Sequence, residues 1–151
     1  MMGVMAPTTM YREVDSATFM SFNPTGIDNP VKCSWINDIC SEYDVNFLNI
    51  QEHFKSSKIT DKYFRDKFPA YHSVVVPGHR QPGQDSGRAK AGLGQLSRKN
   101  IAVKRSRIAS NNYRVQAQVL HLSSTNILWI NSYLPTDPQL VGDYDDTELQ
   151  S

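Results

Sequence analysis

The sequence predicts a layered α/β domain. Two observations carry that reading. A strand, a helix and a second strand follow one another with short links across residues 18–51, and a later series of short apolar or alternating segments is separated by turn residues. The length of 151 residues is enough for one domain with its own core.

Residues 1–16 show no stable period and read as a flexible N-terminal arm, leaving 17–151 for the domain. The run from Thr18 to Asn23 is β-prone and ends in Pro24-Thr25-Gly26, a turn signal. Asp28 or Asn29 then caps a helix with Pro30 at its first position. Val31, Trp35, Ile39 and Tyr43 recur every fourth residue, with Ile36 and Cys40 beside them, and are expected to form the core-facing stripe. Val45 to Gln51 reads as an apolar strand entering Glu52-His53. This order favours a crossover unit with parallel strands.

Ile59 to Phe68 predicts a weaker helix stopped by Pro69, and Ala70 to Val76 a β-branched strand. Pro77 to Lys90 holds two prolines and three glycines and reads as a mobile loop. Ala91 to Leu96 and Ile101 to Ile108 are further strands. Tyr113 to His121 alternates, with Tyr113, Val115, Ala117 and Val119 on one side and Arg114, Gln116 and Gln118 on the other. Ser123 to Asn126 predicts a hairpin turn, and Ile127 to Tyr133 the returning strand.

Apolar runs are only a few residues long, so no membrane span is expected. Met1 to Met10 lacks the basic start of a signal peptide. Cys33 and Cys40 lie on one helix face about 10 Å apart, too far to bridge, and two thiols are too few for a structural zinc site. Buried reduced thiols fit an intracellular protein, nuclear or cytoplasmic.

The formal net charge of +1 hides a segregation. Arg80 to Arg114 carries nine Lys or Arg against Asp85 alone, whereas Asp137 to the end carries five acids and no base. A basic, glycine-bearing stretch of this kind points to a polyanion partner.

Three polar positions close apolar strands: Asn23 after Phe22, Glu52 after Gln51, and Asn131 with Tyr133 after Ile130. Strand ends in layered α/β domains position side chains rigidly while leaving them open to substrate. A carboxylate there holds a hard cation, an amide orients a ligand, and a tyrosine hydroxyl donates to a developing oxyanion. Each position taken alone is also an ordinary surface residue.

These segments together resemble the endonuclease/exonuclease/phosphatase superfamily, whose members include abasic-site endonucleases, LINE-type retrotransposon endonuclease domains, DNase I and inositol-phosphate phosphatases. Phe19 to Asn23 resembles the family's first strand with its Asn. Asn49-Ile50-Gln51-Glu52-His53 resembles its "QE" motif, Gly87 to Leu93 its glycine-rich segment, and Asn131-Ser132-Tyr133-Leu134-Pro135 its "N-x-Y-x-P" motif. The likeness runs from about Thr18 to Glu148 and is nearest the retrotransposon and abasic-site branch.

The resemblance implies the N-terminal half of a DNase I-like four-layer α/β/β/α sandwich, incomplete at the C-terminal side. It implies Glu52 as ligand of Mg²⁺ or Mn²⁺, Asn23 near the metal or phosphate, and Tyr133 at the scissile phosphate. Arg88, Lys90 and Asn131 are implied to bind phosphate or nucleic acid, with DNA as partner. His53 is open between a supporting place beside the carboxylate and ordinary packing. The family's later "GD-x-N" and "S-D-H" motifs do not occur before Ser151, and Gly142-Asp143-Tyr144-Asp145 does not follow an apolar strand. The expected activity is phosphodiester hydrolysis, absent from this stretch alone. A degenerate fragment that only binds nucleic acid, or a phosphatase acting on a phosphorylated lipid or inositol, is the alternative. Half a sandwich is also expected to leave an apolar sheet face uncovered.

Overall fold

The computed structural model describes residues 16–56, 60–80, 83 and 89–134. The elements in order are β1 (Phe19–Phe22), α1 (Pro30–Glu42), β2 (Phe47–Gln51), α2 (Thr60–Lys67), β3 (Tyr71–Val76), β4 (Leu93–Arg98), β5 (Lys104–Ile108), β6 (Val115–His121) and β7 (Asn126–Ser132). They form a four-stranded sheet of order β1-β2-β4-β3 and a three-stranded sheet of order β5-β6-β7. The pair β1–β2 is parallel, as the crossover through α1 requires, and the other pairs are antiparallel.

Side chains on β2 alternate between two layers. Leu48 and Ile50 join Cys33, Ile36, Cys40, Phe64 and Phe68 in the core beneath the helices. Phe47 points the other way and packs with Leu120 and Trp129 of the second sheet. The layers are therefore helices, first sheet and second sheet, with the central strands β2 and β4 of the first sheet buried on both faces. Gly94 lets α2 sit close: a Cβ there would come within 3.0 Å of Phe64 Cε1.

Helix α1 begins as expected. Asn29 accepts from Val31 N at 2.9 Å, and Pro30 occupies the first turn. Its buried stripe differs from the expectation. Cys33, Ile36 and Cys40 face the core, while Val31 is 72% exposed and Trp35 51% exposed. A strict spacing of four drifts around a helix of 3.6 residues per turn, whereas spacings of three and four hold one face. Trp35 instead lies edge-on to Phe22 with ring centroids 5.5 Å apart. Both cysteines are buried and unbridged.

The contact between the sheets is unusually polar. Asn49 Nδ2 donates to Ile130 O, Gln95 Nε2 to Trp129 O, and Gln116 Nε2 to Val74 O, at 2.7–2.9 Å. Gln118 Nε2 donates to Gln95 Oε1 at 3.1 Å. On β6 the glutamines are the inward residues, and Val115, Ala117 and Val119 face outward. Each of these amide nitrogens finds an acceptor across the sheets, which offsets part of the desolvation, while Asn49 Oδ1 and Gln116 Oε1 are buried without a partner. With Ile108, Leu128 and Ile130 exposed beside them, these outward residues form an apolar stripe on the second sheet. No helix among the described residues is long and apolar enough to cross a membrane.

Candidate active site

Strand β2 delivers Glu52 at its C-terminal end, beside the end of β1. Asn23 Nδ2 donates to Glu52 Oε1 at 3.1 Å. The orientation of the Asn23 amide is fixed, because its Oδ1 accepts from Thr25 N at 3.0 Å. Strand β7 brings Tyr133 to the same place. The Tyr133 hydroxyl is pushed up by burial first, then by the Glu52 charge and by a hydrogen bond to Glu52, with Arg114 opposing. It stays protonated at neutral pH and serves as a donor. Three segments 29 and 81 residues apart in sequence thus meet at one rim of the sheets.

Glu52 holds a backbone φ of +53°, outside the region a non-glycine residue prefers. The turn around it is pinned from several sides. Gly26 N donates to Glu52 O at 2.7 Å, and Phe54 N donates to Ala91 O at 3.0 Å. His53 supplies the centre of this turn. It is fully buried, accepts from Lys55 N on Nδ1 at 2.9 Å, and lies 2.9 Å from Val76 O through Nε2. That pattern sets the proton on Nε2, which then donates to Val76 O. Burial pushes the imidazole down to about 4. His53 is therefore a packed, neutral group that shapes the turn.

Asn131 lies beneath the rim rather than on it. It is 1% exposed, and its Nδ2 donates to Ile50 O and Gly94 O at 3.0 and 2.9 Å. Its Oδ1 accepts from Gln51 Nε2 at 2.7 Å. The amide that was expected to meet phosphate instead ties both sheets together under Glu52, because a buried amide needs every partner it finds. Lys90 is exposed and bridges His79 through backbone hydrogen bonds of 2.7 and 2.8 Å. Gly87 and Arg88 of the glycine-rich segment and the Gly142 to Asp145 stretch lie outside the described residues.

Two neighbours of Tyr133, Arg114 and Tyr113, and His79 beyond them escaped sequence reasoning as site residues. Tyr133 N donates to Arg114 O at 3.0 Å. Arg114 Nε and a terminal nitrogen donate to the Tyr113 hydroxyl at 3.1 and 2.9 Å. The Tyr113 ring stacks on His79 with centroids 5.4 Å apart. One signal was available: a hairpin folded at Ser123-Ser124 sets Arg114 opposite Tyr133 by counting alone, as the pair Val115–Ser132 confirms.

Among the described residues, no group of three or more His, Cys, Asp or Glu side chains gathers where a metal ion could sit. The donor set at the rim is one carboxylate, Glu52, with Asn23 presenting its N–H side to that carboxylate. Such a set fits a hard cation that keeps most of its water and binds through a single carboxylate, with Asn23 orienting the ligand rather than joining it.

No protein-family model matches the chain, and no curated protein does. Solved structures do. An AP endonuclease from Leishmania major superposes with a TM-score of 0.65 at 16% identity, over 89% of this chain and 46% of its own. TDP2 from D. rerio, solved with a single-strand DNA product, gives 0.55 at 12% identity, over 89% and 52%. The endonuclease domain of TRAS1, a telomere-specific non-LTR retrotransposon, gives 0.53 at 10% identity, over 87% and 52%. The fold is that of the DNase I-like endonuclease/exonuclease/phosphatase proteins. This chain spans about half the length of those structures.

Proposed function

We propose that this chain is the metal-binding half of a phosphodiesterase site that acts on a nucleic-acid backbone. The observation that carries the reading is the meeting of Asn23, Glu52 and Tyr133 at one strand-end rim. Glu52 is the ligand for a Mg²⁺ or Mn²⁺ ion, which when bound supplies charge neutralisation at a phosphoryl oxygen. Asn23 holds the carboxylate in place, and the protonated Tyr133 hydroxyl donates to a non-bridging phosphate oxygen. Lys90 and the basic stretch around it meet backbone phosphates in a salt-sensitive way. The solved structures of the same fold include an AP endonuclease and a TDP2 in complex with a DNA product, which favours nucleic acid over a lipid or inositol phosphate.

Hydrolysis also needs a group that takes a proton from the attacking water. His53 is committed to Lys55 N and Val76 O, and no group of three or more His, Cys, Asp or Glu side chains gathers at the rim among the described residues. The chain on its own is therefore proposed to bind the ion and DNA without turnover. The test combines Mn²⁺ binding by electron paramagnetic resonance with Mg²⁺-dependent plasmid nicking. One bound ion, lost in Glu52→Gln, together with no nicking by either protein, is the expected result. Ion binding that Glu52→Gln leaves intact, or nicking by the wild-type chain, overturns it.

A further inference from the structure

Part of the basic stretch gathers at the other end of the first sheet. Glu52 follows Gln51, which pairs with Leu93 at the start of β4. The far end of β4, about 17 Å away for a strand of this length, opens into a cavity of about 340 Å³. Its wall combines His72 of β3, Ser97 and Arg98 of β4, Lys99, and Arg105 of β5, over an apolar floor that includes Ile101. Among the described residues, no carboxylate lines it.

The cations in this wall are not equivalent. Arg98 is spent on Asp44 at 3.0 Å, and it also donates to Cys40 O and to the Tyr71 hydroxyl. Arg105 is half-buried and held across the sheet seam by a hydrogen bond to the Ser97 hydroxyl. Lys99 is anchored through its backbone to Ala70 O at 2.9 Å, and His72 is fixed by its register opposite Ser97. Burial lowers the affinity of both Arg105 and His72 for a proton. Arg107 adds to this at Arg105, and Arg105 and Lys99 add to it at His72. Like charges gathered around a concave surface without a counter-charge attract an anion of matching size.

We propose that the pocket formed by His72, Ser97, Lys99 and Arg105 is a binding site for a phosphoryl oxyanion, separate from the Glu52 rim. Arg105 supplies a planar fork of donors already braced by Ser97, Lys99 a mobile point charge, and Ser97 a hydroxyl donor. The bound group is a free phosphate or phosphomonoester, or a backbone phosphate of a nucleic acid that reaches this end of the molecule.

The experiment titrates the full chain with inorganic phosphate at constant ionic strength set by chloride, following the His72 imidazole proton resonance. Saturable shifts in the wild type are expected, weakened about tenfold or more by Arg105→Gln and less by the surface variant Lys99→Gln. Glu52→Gln is expected to leave the titration unchanged, so failure here and failure of the rim proposal read out separately. Circular dichroism checks that Arg105→Gln still folds, and Lys99→Gln keeps the test decisive if it does not. A second arm uses oligothymidine. If Arg105→Gln and Lys99→Gln each reduce its salt slope by about one contact, the source is a nucleic-acid backbone. Phosphate binding with no such change assigns the pocket to free phosphate or phosphomonoesters. Absence of saturable phosphate binding by the wild type, or binding indifferent to both variants, overturns the proposal.

Discussion

The position that a Cβ would take on Gly92 lies 2.4 Å from Cε1 of His53. Gly92 also holds φ at +98°, so backbone and packing both demand glycine there. Gly92→Ala is expected to destabilise the chain by about 2–4 kcal/mol, from a strained φ together with overpacking against a buried ring. Urea unfolding measures it. A midpoint within error of wild type would mean that the turn carrying Glu52 is not braced by His53.

Asn23 and Glu52 test the rim itself. Asn23→Ala removes the N–H that fixes Oε1 while leaving the carboxylate in place. Affinity for Mn²⁺ is expected to fall about 10–100-fold, the usual effect of losing a group that orients a ligand. Glu52→Ala is expected to abolish binding. Equal losses in the two variants would make Asn23 a ligand in its own right.

How far the sequence could be read is clearest at these residues. Asn23, Glu52 and Tyr133 each close an apolar strand, so their placement at one rim followed from strand ends in a layered fold. The direction of a face did not follow. On β6 the two sides were separable by alternation, yet nothing local said that the glutamines face in. Their burial depends on acceptors such as Val74 O, which are 42 residues away in the case of Gln116. The α1 stripe failed for a related reason: Val31 and Trp35 are apolar enough to suggest a core they do not join. Asn131 looked like a ligand because it closes a strand, but whether such a residue points to the rim or between the sheets is decided by register with the opposite sheet.

The inter-sheet amides make a quantitative prediction. Gln95→Ala leaves Trp129 O and the Gln118 amide without this partner inside a buried layer. The expected cost is about 1–3 kcal/mol by chemical denaturation. Gln118→Ala is expected to cost less in the Gln95→Ala background than in the wild type, because the pair acts as a unit. Strict additivity in that double-mutant cycle would show that the two amides do not communicate.

Alkaline pH probes the opposite end of β3. The Tyr71 hydroxyl donates to Val45 O at 2.7 Å and accepts from Arg98 at 3.1 Å. Burial, opposed in part by Arg98, pushes it up to about 12 from 10.0. A raised value in the folded state means stability that is complete below about pH 10 and lost as pH rises through 12. The share carried by Tyr71, with solvent screening allowed for, is on the order of 1 kcal/mol over that window. Tyr71→Phe is expected to be less stable near neutrality by about 1 kcal/mol but to lose less between pH 10 and 12. Parallel curves for the two proteins would assign the alkaline loss elsewhere.

The outward face of the second sheet carries the last test. Ile108, Ala117 and Ile130 stand in one row across the three strands, with Val119 and Leu128 in the neighbouring row. Ile108 is 45% exposed, Ile130 51% and Leu128 57%, so little native packing depends on the last two. A contiguous apolar stripe of this kind is sticky in water, and antiparallel strands tolerate threonine well. Leu128→Thr with Ile130→Thr is therefore expected to reduce concentration-dependent association by light scattering and to lower binding of a hydrophobic dye, at a stability cost within about 1 kcal/mol. The inward neighbour Trp129 provides the contrast, since Trp129→Thr removes a ring packed at 5.3 Å against Phe47 and is expected to cost about 3–5 kcal/mol. If the double threonine variant associates as strongly as wild type, the stripe is not the adhesive surface and another face of the molecule must be responsible.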